Sequence, residues 1–267
     1  MRFAGKSDKG ISRAQNEDAF CIIGGECGKP LVLAVADGMG GHRAGDVASQ
    51  MAIAAIRDSI AAQPLDVSGA DAVSSRLRKI ILAANDRIYK RGLRDPDCAG
   101  MGTTLIVAAC LPGALILAHV GDSCAYHFRD MEITKITTDH TYVEELVKMG
   151  SLTREEAQSH PQRNYITKAV GTRGRLEPDI YEVGVRPGDR VLLCTDGLSK
   201  MLSDGEIAGA VYASDDPGRI CASLIELSNG KGGFDNITAL AFLNMDADAS
   251  AGTGAGAGTG AGAEAIG

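Results

Sequence analysis

Apolar residues along this chain fall into two textures: short unbroken runs that read as strands, and stripes at helical spacing. The clearest run is 31–36, Leu-Val-Leu-Ala-Val-Ala, which reads as a strand buried on both faces. Before it, 19–23 forms another. The runs 103–110 and 114–120 are joined by Leu-Pro-Gly, a turn signal that predicts antiparallel neighbours. Runs 123–128 and 132–136 predict a second hairpin, 190–195 a further core strand and 237–243 a last one. Ala48, Met51, Ala52, Ala55, Ile56 and Ile60 recur at helical spacing. Val73, Leu77, Ile80, Ile81, Ala84 and Ile88 form a second stripe, with Gly92 placed to cap it.

Between 139 and 172 the texture changes to a smaller, less apolar insertion. Val143, Leu146 and Val147 predict a short helix closed by Gly150, and Thr153 with Glu156 fits a capping box. Ser203 with Glu206 makes another box, and Asp216-Pro217 opens a helix carrying Ile220, Leu224 and Leu227. Residues 246–267 hold Ala, Gly, Thr and a few acids, with no large apolar residue before Ile266. They read as a disordered tail. Strands in runs and hairpins, with helices in pairs, predict an α+β domain over 1–245. Antiparallel sheets covered by helices fit better than a doubly wound sheet.

Composition narrows the function. The chain has 267 residues, 45% of them hydrophobic, and a net charge of −7 from 34 acidic and 27 basic residues. No basic block occurs, which argues against nucleic acid as a partner. Seven cysteines without a CxxC read as reduced, buried thiols of a cytoplasmic protein. There is no apolar signal segment near the start and no run of 18 apolar residues, so a membrane is not expected.

The candidate chemistry lies where runs begin or end. Asp37 follows 31–36 and is itself followed by Gly38, Gly40 and Gly41; Asp18, Asp122, Asp196 and Asp235 occupy comparable positions. One Asp-Gly is also a common turn. Five carboxylates at sheet mouths would repel and raise each other's pKa unless cations offset them. Oxygen-only ligands suit hard ions such as Mg²⁺ or Mn²⁺, and two such ions activate water and clamp a phosphoryl group.

Six ordered motifs then carry a resemblance. They are Arg13-Ala-Gln-Asn-Glu-Asp18, Asp37-Gly-Met-Gly-Gly-His42, Gly102-Thr-Thr104, Gly121-Asp-Ser123, Thr195-Asp-Gly197 and Asp235-Asn236. Together they resemble the metal-dependent Ser/Thr protein phosphatases of the 2C type, in their bacterial form, over residues 7–243. The resemblance implies a four-layer α-β-β-α sandwich: two antiparallel sheets flanked by helix pairs, with residues 139–172 as a flap beside the cleft.

It also implies hydrolysis of phosphoserine and phosphothreonine in proteins, reversing a cognate Ser/Thr kinase, by a cytoplasmic enzyme expected to be a monomer. Asp37 would bridge two Mn²⁺ or Mg²⁺ ions, the Gly38 carbonyl would bind one, and Asp196 and Asp235 the other. Glu17 and Asp18 would act mainly through coordinated water. Asp122 with Asp196 would hold a third, more weakly bound ion. Arg13 would bind the substrate phosphate, with His42 and His140 as further substrate-side candidates. The rival reading is a catalytically inactive relative that binds phosphoproteins; a complete acidic set argues against it.

Two positions depart from the resemblance. Met39 stands where eukaryotic members carry a histidine proposed as general acid, and Cys124 stands where Gly-Asp-Ser is usually followed by Arg. No Cys-x5-Arg loop surrounds Cys194, so it does not read as a nucleophile. His119 and His127 read as structural.

Overall fold

A computed structural model of the chain describes residues 1–25, 30–40, 44–67 and 69–245. Its first strands are β1 (Arg2–Asp8), β2 (Asp18–Ile23) and β3 (Leu31–Met39). Helices α1 (Ala44–Ala62) and α2 (Ala70–Arg94) follow. Next come β4 (Gly102–Thr103), β5 (Leu105–Leu111), β6 (Ala114–Val120), β7 (Cys124–Arg129) and β8 (Glu132–Lys135). The flap carries α3 (Tyr142–Lys148) and α4 (Arg154–Ser159). The chain then returns through β9 (Asp179–Gly184), β10 (Arg190–Cys194), α5 (Asp196–Ser199), α6 (Asp204–Tyr212), α7 (Pro217–Gly230) and β11 (Ile237–Leu243).

Among the described residues the strands form two antiparallel sheets. One has the order β1-β11-β10-β7-β8; the other runs β2-β3-β5-β6-β9, with β4 paired to β3. Three apolar layers hold the sandwich together. Leu31, Leu33 and Val35 of β3 face Leu193, Leu240 and Phe242 of the opposite sheet. Val32, Ala34 and Ala36 turn the other way, onto α1 and α2. Cys194, Ala239 and Ala241 meet Ile207, Ile220 and Leu224 from α6 and α7. Strand side chains alternate between faces, so an unbroken apolar run is what a strand covered on both faces requires.

The expected capping boxes of α4 and α6 are both formed. Gly92 does not end its helix, however: α2 continues to Arg94, and Asp95 before Pro96 takes the extended backbone that stops it. Gly150, at φ 70°, follows α3 as expected. Two strands escaped the sequence reading. β1 and β9 are partly exposed edge strands, without the apolar run that marked the others. The reading of 246–267 as a disordered tail, and of Cys27 as a buried thiol, falls outside the described residues. The other six cysteines are buried and free. Among the described residues no helix is long and apolar enough to cross a membrane.

Candidate functional site

Five aspartates were expected at strand ends; the ladder refines this for Asp37. β3 does not stop there. It continues through Gly38 and Met39, which pair with Thr103 and Gly102 of β4. Asp37 therefore sits inside a ladder, opposite Asp18 of β2. Its backbone is held on both sides. The Asp37 N–H donates to Thr104 Oγ1 at 2.9 Å, and its carbonyl accepts from Thr104 N–H and Thr103 Oγ1, each at 2.9 Å. Gly38 has no room for a side chain: a Cβ there would lie 2.0 Å from the Gly45 carbonyl oxygen. That close approach ties the α1 start to the basin.

Asp18 is buried. Its Oδ2 accepts from Thr195 Oγ1 at 2.8 Å and Thr238 Oγ1 at 2.7 Å, while Oδ1 is buried with no hydrogen-bond partner. Burial pushes its carboxyl up to about 7, against the two hydroxyl bonds that favour the charged form. Asp37 is raised well above the usual range by burial, then by the carboxylates of Asp18, Asp196, Asp122 and Asp235. Asp122 is raised to about 6, again by burial first and Asp196 next. Glu17 is shifted upward by burial, with Arg13 pulling it back. These groups share one acidic basin.

Asp235 and its surroundings are fixed by glycine and asparagine. Asn236 Oδ1 accepts the Glu17 N–H at 2.8 Å, and its side-chain amide donates to the Lys9 and Gln15 carbonyls at 2.9 and 2.8 Å. Gly10, at φ 75°, lies so close that a Cβ would be 2.1 Å from the Asp235 carbonyl oxygen. Ile11 and Ser12 N–H groups donate to the Gly233 carbonyl, which pins the loop carrying Arg13. Arg13 is half-exposed, and one guanidinium N–H donates to Asp235 Oδ2 at 2.9 Å.

Asp196 opens α5, with Thr195 as its extended N-cap residue. The sequence reading ended a strand here without the short helix, because four residues leave no periodic stripe. That helix brings in a residue that reading missed. Lys200 Nζ lies 2.5 Å from Asp196 Oδ2 and 3.1 Å from Asp122 Oδ2. The signal was an Asp and a Lys four apart, which are neighbours on any helix. In this arrangement a third ion between Asp122 and Asp196 would meet the Lys200 ammonium.

His140, a substrate-side candidate from the sequence, is buried, and both ring nitrogens are engaged. Nδ1 accepts the Gly121 N–H at 3.0 Å, and Nε2 lies 3.1 Å from Asp179 Oδ2. Its own N–H donates to the Gly121 carbonyl, and its carbonyl accepts from Thr167 N–H. His140 thus fastens both ends of the flap beside Asp122. His119 stacks on it at 4.8 Å and is fully buried. His127 meets Asp189 at 3.0 Å, the structural role expected for it. His42 lies outside the described residues.

The flap and α5 enclose an open cleft of about 740 Å³, lined by Asp196, Asp235, Lys200, Val143, Arg163 and Phe234 among others. Among the described residues no three acidic, histidine or cysteine side chains yet converge on one point as a finished cage. Arg13 holds Asp235 and Lys200 holds one oxygen of Asp196. The remaining donors still fit hard divalent cations. They are carboxylate and carbonyl oxygens, they repel one another, and Asp18 Oδ1 is buried without a partner. Cys194, beside Asp196, is buried and its thiol is raised well above its usual range, so no thiolate nucleophile competes for the site.

A helix-flanked pair of antiparallel sheets with an acidic basin at one edge and a flap over the cleft defines the class of molecule. The chain belongs to the Protein phosphatase 2C family, whose model matches residues 10–216. It is 42% identical over 240 residues to the serine/threonine protein phosphatase PstP of Mycobacterium tuberculosis, covering 90% of this chain but only 44% of that relative. With the serine/threonine phosphatase stp of Listeria welshimeri it shares 35% identity over 235 residues, 88% of this chain and 92% of the relative. Among solved structures, the catalytic domain of a PstP in complex with two manganese ions superposes with a TM-score of 0.77 at 39% identity. That match covers 90% of this chain and 96% of the other.

Proposed function

We propose that this chain hydrolyses phosphoserine and phosphothreonine monoesters in proteins, with two Mn²⁺ or Mg²⁺ ions held in the acidic basin. The observation that carries the reading is the Asp18–Asp37 pair. Two carboxyls face each other across one ladder, both pushed toward neutrality, with a buried Asp18 oxygen lacking any partner. Such a pair is costly in a protein without cations and useful with them. The manganese pair in the related PstP catalytic domain supports the same choice of ion.

Asp37, the Gly38 carbonyl, Asp196 and Asp235 would hold the ions, with Glu17 and Asp18 acting behind them. When bound, such ions activate water at neutral pH and offset the charge of the phosphoryl oxygens. The chain supplies the rest. Arg13 is half-exposed and tethered to Asp235, and its guanidinium would bind the substrate phosphate through parallel N–H bonds. The Thr195 and Thr238 hydroxyls keep Asp18 oriented. The open cleft beside the flap suits an extended peptide better than a small enclosed metabolite. A cognate Ser/Thr kinase and its substrates are the partners this activity implies, and the buried free thiols favour a cytoplasmic setting.

Release of phosphate from a phosphoserine peptide, with added Mn²⁺ and with chelator, tests the reading. Activity should need the metal, and Asp37→Asn should remove nearly all of it while circular dichroism stays unchanged. Substantial metal-dependent turnover by that variant would overturn the assignment.

A further inference from the structure

Asp122 and Asp196 are brought together by the sheet. Cys124 of β7 and Cys194 of β10 are register partners. Asp122 lies two residues before the first and Asp196 two residues after the second. Antiparallel pairing therefore delivers both carboxyls to the same end of the sheet. The only question is what neutralises them.

Lys200 is built into the answer by the backbone. It is the C-cap of α5, and its N–H donates to the Asp196 carbonyl at 2.8 Å. One helical turn separates the two residues, so their side chains lie on one face, in the favoured order of acid before base. From there Nζ reaches Asp196 Oδ2 and, at 3.1 Å, Asp122 Oδ2. Asp122 is 2% exposed, whereas the Lys200 side chain is 39% exposed and enters from the cleft. The neighbouring charges are already matched: Lys135 binds both oxygens of Asp139 at 2.8 and 2.9 Å.

We propose that Lys200 is the fixed counter-cation of the Asp122–Asp196 pair, so that this chain loads two divalent ions and not three. The proposal rests on the reading of the basin as a metal centre. A divalent ion entering between those oxygens would have to displace an ammonium that cannot diffuse away, since it is tethered one turn from Asp196. What the lysine leaves is thin: Asp122 Oδ1, buried without a hydrogen-bond partner, and the second oxygen of Asp196. Asp196 can still serve the two-ion centre through that second oxygen. Lys200 is thus a positioning residue that holds both carboxylates and closes the third position.

The test is metal stoichiometry, read by calorimetric titration and by equilibrium dialysis with metal analysis, using Mn²⁺ and the full chain. Wild type should bind two ions, with no further site into the millimolar range, and Lys200→Arg, which keeps the charge, should also bind two. Lys200→Ala should gain a third, weaker site that disappears in the Lys200→Ala/Asp122→Asn double variant. Lys200→Asp, which adds a ligand in place of the cation, should bind the third ion more tightly still. A third ion in wild type that is lost in Asp122→Asn would show the lysine displaced, and would overturn the assignment while leaving the two-ion centre intact. A Lys200→Ala protein that folds but stays at two ions would overturn it as well. Fewer than two ions in wild type would instead overturn the metal-centre reading itself, and this inference with it.

Discussion

Asp18 and Asp37 are register partners across the β2–β3 ladder, two carboxyls at directly opposed positions of one antiparallel pair. Like charges so placed destabilise a sheet. The fold tolerates them because Thr195 and Thr238 reach over from the other sheet to hold Asp18. The strain is electrostatic, and pH should reveal it.

In metal-free protein, the Asp18 carboxyl moves from an ordinary 3.8 to about 7 on folding. Between those values the folded chain holds a proton that the unfolded chain releases, so stability falls as pH rises through the window. Asp18→Asn should therefore match wild type near pH 4 and gain on it steadily up to about pH 7, by on the order of 2–4 kcal/mol. Thermal melts of both proteins with chelator would measure this, and Mn²⁺ should shrink the difference. A gap that did not grow with pH would refute it.

His119 should show the opposite slope. Burial lowers its pKa from 6.5 to about 3, so the folded protein keeps it neutral while the unfolded chain takes up a proton. Its contribution to stability is complete above 6.5 and is lost as pH falls toward 3. His119→Phe keeps a ring to stack on His140 and removes the titration. The variant's melting temperature relative to wild type should climb as the solution is acidified; a pH-independent offset would count against this account.

Arg13→Ala should separate phosphate binding from metal binding. The guanidinium touches Asp235 only through an exposed pair, which is worth little to stability. KM for a phosphopeptide should rise several-fold, with any fall in kcat reporting contacts made only in the transition state. Calorimetry should find the two metal sites unchanged. Loss of an ion on this substitution would make Arg13 a support for Asp235 and not a phosphate ligand.

Gly197→Ala tests the closeness of α5 to the segment that enters β11. A Cβ there would lie 2.0 Å from the Asn236 carbonyl oxygen, and Asn236 carries the Glu17 N–H. The substitution should cost about 1–3 kcal/mol and displace Asp235. Gly209→Ala in α6 meets nothing within 4 Å and should instead stabilise by about 0.5–1 kcal/mol. Denaturant midpoints for the pair would decide it; equal effects would remove the steric argument.

Much of this protein was legible in its sequence, for physical reasons that act locally. A strand covered on both faces must be apolar throughout, so β3, β5, β6 and β11 announced themselves. The capping boxes at Thr153 and Ser203 are short-range hydrogen bonds written within four residues. The acidic set stood out because aspartate is out of place beside such runs. What tertiary structure alone decided were the pairings between distant segments. Edge strands β1 and β9 are half-exposed and leave only a weak pattern, and α5 is too short for a period. Nothing in the residues around His140 shows that both its nitrogens are consumed by Gly121 and Asp179. Nor does the sequence place the Lys200 ammonium against Asp122, 78 positions away. Local propensity selects each element, but which charges come to share one low-dielectric basin depends on how two sheets are stacked, and that is a property of the whole chain.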